Sequence, residues 1–188
     1  MKPLIIHQIW VGEEMPNHIK RALDWNRTIN KNFEYILWNE ERLYKEFGKN
    51  YIENILSEAI APAFATNIFR LDILKKYGGI YMDADVKCLK EISTELFEDD
   101  KIYCDTALKK CPGVSVIIAQ KGTDFSKVLN AYELDKPIIR FWWLMKSELT
   151  TIEPKLFKET FKNMRLRSWL KHFEFNPRDN HRRELSCD

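Results

Sequence analysis

The chain opens with a nearly continuous apolar run, Leu4-Ile5-Ile6-His7-Gln8-Ile9-Trp10-Val11, closed by Gly12. A β-branched run of that kind predicts a strand buried in a parallel sheet. Pro16 stands where a helix can begin. Met15, Ile19, Ala22-Leu23, Trp25-Asn26 and Ile29 then recur at helical spacing. Phe33 to Trp38 reads as a second strand. Asn39 is a suitable N-cap for a helix over Glu40 to Phe47, stopped by Gly48, and a further helix runs from Tyr51 to Ala61, before Pro62.

The next stretch is the most informative. Phe64, Ile68, Leu71 and Leu74 form one apolar row, widened by Phe69 and Ile73, so this helix is buried around most of its circumference. Tyr77-Gly78-Gly79 ends it. Ile80-Tyr81-Met82 is a short buried strand, and Asp83-Ala84-Asp85 stands at its C-terminal end. The order β-α-β-α-α-α-β predicts an α/β fold with a mostly parallel central sheet and helices on both faces. Ligands in such sheets bind outside the C-terminal strand ends. Trp10 and the two aspartates both fall there. Further on, Ile102-Tyr103-Cys104 and Val114 to Ala119 read as strands and Phe125 to Leu134 as a helix. From Pro137 onward the pattern is helical, with no evident place in the sheet.

Charge refines the picture. The total of +2 hides an excess of six positive charges between Lys155 and Arg183, which leaves the rest of the chain at −4. An acidic body with a basic end does not read as a nucleic-acid-binding domain. Leu156-Phe157, Thr160-Phe161 and Met164 recur at helical spacing among Lys155, Lys158, Lys162 and Arg165. A basic amphipathic segment of this kind suits either a solvated face or contact with an anionic membrane surface. No apolar run approaches the ~20 residues of a membrane span, and the N-terminal apolar stretch is short for a signal peptide. The expectation is a cytoplasmic protein, with peripheral contact at the inner face of a membrane as the alternative to a solvated basic face. The four cysteines show neither CxxC nor metal-ligand spacing and read as free thiols.

Three groups could carry chemistry. In extended backbone, residues i and i+2 point the same way, so Asp83 and Asp85 converge on one point beside a buried strand. Two like charges there call for a cation, and oxygen ligands suit Mg²⁺ or Mn²⁺ with water and substrate phosphates completing the shell. Asn67 and Arg70 share a helix face. A buried Arg70 needs either a structural partner, such as Asp72 or a remote carboxylate, or an anionic or polyhydroxyl ligand. Trp10 is either a core residue or a stacking surface for a nucleobase. His7 reads as a packed structural histidine.

These residues carry a resemblance. Ile5-Ile6-His7-Gln8-Ile9-Trp10-Val11-Gly12, then Phe33 to Trp38 with Asn39-Glu40, then Ala65-Thr66-Asn67-Ile68-Phe69-Arg70 continuing through Leu74 to Tyr77-Gly78-Gly79-Ile80-Tyr81-Met82-Asp83-Ala84-Asp85-Val86, resemble the DXD-containing glycosyltransferases of the initiation-mannosyltransferase and capsular-polysaccharide kind. More distantly they are similar to the glucosyltransferase domains of large bacterial toxins. The resemblance implies a GT-A fold, Mn²⁺ or Mg²⁺, and a UDP- or GDP-sugar donor. It implies transfer with retention to a saccharide, lipid-linked saccharide or protein acceptor, in surface polysaccharide or glycan synthesis. By position, Trp10 would stack on the base, and Thr66, Asn67 and Arg70 would contact the donor. Tyr81 would line its site, Asp83 would contact the ribose or the metal, and Asp85 would ligate the metal. Asn67 departs from the family pattern, which has Asp there. The implied organisation is a nucleotide-sugar core over 1–136 and a helical, basic extension of the same domain over 137–188. Two alternatives stand beside it. One is a phosphatase of the haloacid-dehalogenase kind, which places its D-x-D after the first strand and a small or β-branched residue where Lys87 stands. The other is a catalytically weak or non-catalytic relative.

Overall fold

The structure is a computed structural model and describes residues 2–59, 61–106, 112–131 and 149–163. Its centre is a six-stranded sheet in the order β2-β1-β3-β6-β5-β7. The strands are β1 (Ile5–Ile9), β2 (Glu34–Trp38), β3 (Gly79–Met82), β5 (Ile102–Thr106), β6 (Pro112–Ala119) and β7 (Leu149–Thr151). β1 pairs in parallel with β2 and β3, and β5 with β7; β6 alone runs antiparallel, between β3 and β5. A second, two-stranded antiparallel sheet joins β4 (Val86–Cys88) to β8 (Phe161–Asn163). The helices are α1 (Asn17–Ile29), α2 (Glu40–Phe47), α3 (Lys49–Glu58), α4 (Pro62–Tyr77), α5 (Ser126–Ala131) and α6 (Pro154–Thr160).

The period of two along the strands sorts the core into two layers. Tyr81 and Ile117 point to the side covered by α2, α3, α4 and α5, with Trp38, Leu43, Ile52, Phe69 and Phe125. Ile80, Met82, Val116 and Ile118 point to the opposite side, with Phe97, Ile152 and Phe161. α4 is buried nearly all round, as the apolar row predicts, and that is why Asn67 and Arg70 are buried with it. Gly78 and Gly79 turn the chain from α4 into β3 with φ of +68° and +96°. A Cβ on Gly79 would lie 2.5 Å from the backbone oxygen of Ile5 on the neighbouring strand, so only glycine lets β3 approach β1 here.

His7 is fully buried, as expected of a packed histidine. The Trp38 indole N–H donates to its Nδ1 at 3.1 Å, so its proton sits on Nε2, which donates to the Gly78 carbonyl at 2.9 Å. Burial lowers its pKa to about 4.

Two differences from the sequence reading matter. The helical spacing across 156–164 ends at Thr160, where the backbone turns extended and Phe161–Asn163 becomes a strand on β4. Residues 149–151, in the stretch without an evident place in the sheet, form its edge strand. The basic residues beyond 163, and Tyr132 to Leu134 of the helix expected from Phe125, lie outside the described residues. No helix among the described residues is long and apolar enough to cross a membrane.

Candidate active site

The chain leaves β1 for β2 on one side and returns to β3 on the other. The crevice outside the C-terminal ends of β1 and β3 is therefore the point where strand order reverses, the usual ligand position in open α/β sheets. Trp10 follows β1 and Asp83 follows β3. Ala84, between the aspartates, is buried with Ile19 and Leu23, and Trp10, Met15 and Leu37 pack on that cluster. The indole N–H of Trp10 donates to the Glu13 carbonyl at 2.8 Å, and its backbone N–H to the Trp38 carbonyl at 2.9 Å. The tryptophan thus packs on the same small cluster that holds Ala84, the residue between the two carboxylates.

Arg70 reaches the site from α4. Its side chain is 4% exposed, and one terminal nitrogen lies 3.0 Å from Asp83 Oδ1. Its Nε donates to the Thr66 carbonyl at 3.2 Å, and the Asp83-facing nitrogen also lies 3.3 Å from Thr66 Oγ1. Its other terminal nitrogen donates to the Val114 carbonyl on β6. The guanidinium stacks over the Tyr81 ring at 4.5 Å. Of the partners left open by the sequence, it is the remote carboxylate Asp83 that Arg70 meets; Asp72 instead accepts from the Tyr51 hydroxyl at 2.7 Å. Tyr81 is fully enclosed, and its hydroxyl donates to Asp83 Oδ1 at 2.8 Å. Burial first, and then the nearby carboxylates, push the Tyr81 pKa well above 10 even though Arg70 pulls it down.

The aspartates are not on extended backbone as the sequence argument assumes. The chain turns at Ala84-Asp85, closed by Val86 N–H donating to the Asp83 carbonyl at 2.9 Å. The two side chains nevertheless stay close enough to interact. Burial, and then the charge of Asp83, push the Asp85 pKa up to about 6. Among the described residues, no lysine, arginine or histidine forms an ion pair with Asp85, whereas Asp83 has Arg70.

This donor set fits a hard divalent cation. Asp83 Oδ1 is taken by Tyr81 and Arg70, which leaves its second oxygen and the Asp85 carboxylate. No cluster of three or more His, Cys, Asp or Glu side chains suited to a metal occurs among the described residues. The described residues would then supply two carboxylates, with water and phosphate oxygens able to complete the shell, as Mg²⁺ and Mn²⁺ sites commonly arrange.

Several supporting residues were not singled out from the sequence. Gln8 and Asn26 are fully buried polar groups behind the aspartates. Asp105, 5% exposed on β5, accepts from Ser115 Oγ at 2.7 Å and Val116 N–H at 3.1 Å. The Ser115 carbonyl in turn accepts from Asp83 N–H at 2.8 Å. Gln8 was visible as a polar residue inside an apolar strand, and Asn26 as one on an apolar helix face.

A D-x-D turn at the switch point of a mostly parallel sheet, clamped by an arginine from the preceding helix, defines a GT-A type of glycosyltransferase fold. Residues 16–103 match the glycosyltransferase sugar-binding region containing the DXD motif, a little under half of the chain. The second and third of the resembling blocks lie within the match. Inositol phosphoceramide mannosyltransferase 1 of Schizosaccharomyces pombe is 29% identical over 102 residues, 47% of this chain and 29% of that protein. Inositol phosphoceramide mannosyltransferase 3 of the same yeast is 34% identical over 91 residues, 46% of this chain and 25% of that protein. The chain thus spans less than a third of the length of these relatives. Among solved structures, the PaToxG glycosyltransferase superposes with a TM-score of 0.60 at 18% identity, over 78% of this chain and 70% of that one, which bears on the fold.

Proposed function

We propose that this chain transfers a hexosyl group from a nucleotide-sugar donor, with a divalent cation at Asp85 and Asp83. The observation that carries this reading is the asymmetric carboxylate pair. Asp83 is held by Arg70 and Tyr81, while Asp85 beside it forms no ion pair among the described residues, and burial and then Asp83 push its pKa up to about 6 although Arg70 pulls it down. A bound Mn²⁺ or Mg²⁺ would supply a countercharge and neutralise the diphosphate leaving group.

The roles follow from placement. Trp10, half-exposed over Ala84, offers a face to the base. Arg70 and Thr66 form one rigid unit at the floor, with Asn67 buried on the same helix face, where donor sugar and phosphates would sit. Tyr81 orients Asp83, which contacts the ribose or the cation. Retention by front-face displacement follows from the family resemblance. The names of the two yeast relatives favour mannose as the sugar and a lipid-linked acceptor over a free saccharide or a protein. That acceptor would suit peripheral membrane contact through the basic end. Residues 1–136 then form the donor core and 137–188 an extension of the same domain.

The test is isothermal titration of UDP and GDP with and without Mn²⁺, followed by a mass-spectrometric screen of UDP- and GDP-sugars. Metal-dependent binding of one nucleotide, abolished by Asp85→Ala, is expected; no metal-dependent binding of either would sink the proposal. The phosphatase reading is disfavoured because the D-x-D follows the third strand of the chain. Asn67 favours one rival, a catalytically weak relative: a rise in transfer or donor hydrolysis on Asn67→Asp would support it, and robust turnover by the native chain would remove it.

A further inference from the structure

The segment that follows the aspartates, β4, has two edges. One pairs with β8, Val86 opposite Asn163 and Cys88 opposite Phe161. The other faces α1, and no strand lies there among the described residues. The side chain of Asn26 takes its place. Its Nδ2 donates to the Val86 carbonyl at 2.8 Å, and its Oδ1 accepts from Cys88 N–H at 2.7 Å. A carboxamide carries the same donor and acceptor as a peptide group, so one side chain reproduces the pair of bonds that a neighbouring strand would make.

The same amide is tied to the D-x-D turn itself. Asn26 Nδ2 lies 3.3 Å from Gln8 Oε1, which also accepts from the Tyr35 hydroxyl at 2.7 Å. Gln8 Nε2 is thereby aimed outward and donates to the Asp83 carbonyl at 3.0 Å. One turn on along α1, Asn30 Oδ1 accepts from Ile92 N–H at 2.8 Å, and its Nδ2 caps the Asn26 carbonyl at 2.8 Å. Trp25 Nε1 donates to the Cys88 carbonyl at 2.9 Å. Gln8 and Asn26 are 0% exposed and Asn30 is 1% exposed. A buried polar network this complete fixes its backbone in one arrangement, because each lost bond would strand a desolvated group.

We infer that Asn26, with Gln8 and Tyr35, forms a positioning device for the proposed metal–diphosphate site: a one-residue surrogate strand that sets the turn presenting Asp83 and Asp85. The device is built from neutral groups. Carboxylates in its place would add negative charge behind a site that already holds two. The inference rests on the donor-site reading above for its ligand, and on the hydrogen bonds alone for its geometry.

The test uses the full chain. Asn26→Asp keeps the shape and the acceptor for Cys88 N–H but removes both donated bonds. Tyr35→Phe removes a single bond to Gln8. Leu43→Ala, a buried residue on α2 within the opposite core layer, serves as a variant destabilised elsewhere. Mn²⁺ is titrated in the presence of UDP or GDP and followed by the free-Mn²⁺ electron paramagnetic resonance signal. Asn26→Asp should weaken Mn²⁺ binding by about 10–100-fold, the range seen when groups behind metal ligands are altered. Tyr35→Phe should weaken it less, and Leu43→Ala should leave it unchanged despite its lower stability. Equal affinity and an unchanged bound-Mn²⁺ spectrum for Asn26→Asp would overturn the inference, as would an equal loss in Leu43→Ala. Amide hydrogen exchange of the metal-free chain separates this from the donor-site reading. In Asn26→Ala, Val86 and Cys88 amides should exchange at least about tenfold faster while Ile80 and Ile118 do not. If the native chain takes up no Mn²⁺ with either nucleotide, the donor-site reading fails. Unchanged exchange at Val86 and Cys88 refutes the positioning role whether or not metal binds.

Discussion

Asp85→Asn should make the metal-free protein more stable at neutral pH while removing its capacity for metal. Asp85 sits beside Asp83 in a partly desolvated turn, and the two effects hold its pKa near 6 against an ordinary 3.8. A carboxyl so displaced costs the folded state about 3 kcal/mol once it is ionised in both the folded and unfolded chains. The sign follows from proton counting. Between pH 3.8 and 6 the folded chain holds more protons on Asp85 than the unfolded chain, so this residue makes stability fall as pH rises through that window. The penalty is nearly absent below it and complete above it. The amide carries no charge and escapes the penalty, so the variant should gain up to about 3 kcal/mol at pH ~7.5 and only about 1 kcal/mol at pH ~4.5. Urea unfolding in EDTA at both pH values measures this. A variant no more stable than its parent at the higher pH, or a gain that does not shrink at the lower, would refute the reasoning. Adding Mn²⁺ and the bound nucleotide should reverse the order, because only the parent is stabilised by binding.

Arg70→Ala strands the Asp83 carboxylate and the Val114 carbonyl and should cost about 3–5 kcal/mol in urea unfolding. Arg70→Lys keeps the charge but cannot serve Thr66, Val114 and Asp83 together, and should cost about 1–3 kcal/mol; equal losses would show that the fork does not matter. Gly79→Ala forces a Cβ against the Ile5 carbonyl at a φ of +96° and should lower the melting temperature by roughly 6 °C or more by calorimetry, or abolish soluble expression. Trp10→Ala should weaken nucleotide binding by roughly 5- to 150-fold in isothermal titration, the equivalent of about 1–3 kcal/mol of base stacking, while Trp10→Phe keeps most of it.

The sequence shows most clearly the elements whose pattern is long and self-consistent. α4 and β3 are legible because an all-round apolar helix, two glycines and a buried strand follow one another without ambiguity. The strand-end positions of Trp10 and the aspartates follow from that order. The antiparallel direction of β6 is not legible, since a continuous apolar run such as Val116 to Ala119 reads the same in either direction. β4, β7 and β8, three residues each, are too short for a period to register. At the site, Arg70 and Tyr81 are visible as a buried charge and an aromatic on a core strand. Their common attachment to Asp83 is a tertiary fact. Asn26 is hidden for a different reason: one amide on an apolar helix face reads as a boundary residue until its two partners on β4 are known.

Residues 149–163 add one strand to each sheet, and this gives the molecule an order of completion in time. As the chain is synthesised, Asn26 is already available when Val86 and Cys88 emerge. The second edge of β4 waits for β8, roughly 4–15 s later at about 5–20 residues per second. Until then the β4 edge facing β8 is open, an exposed template for misplaced pairing. The strand that follows the carboxylates thus keeps one edge unpaired until residues 161–163 emerge, so the nascent protein stays open beside the place where its chemistry is proposed to occur.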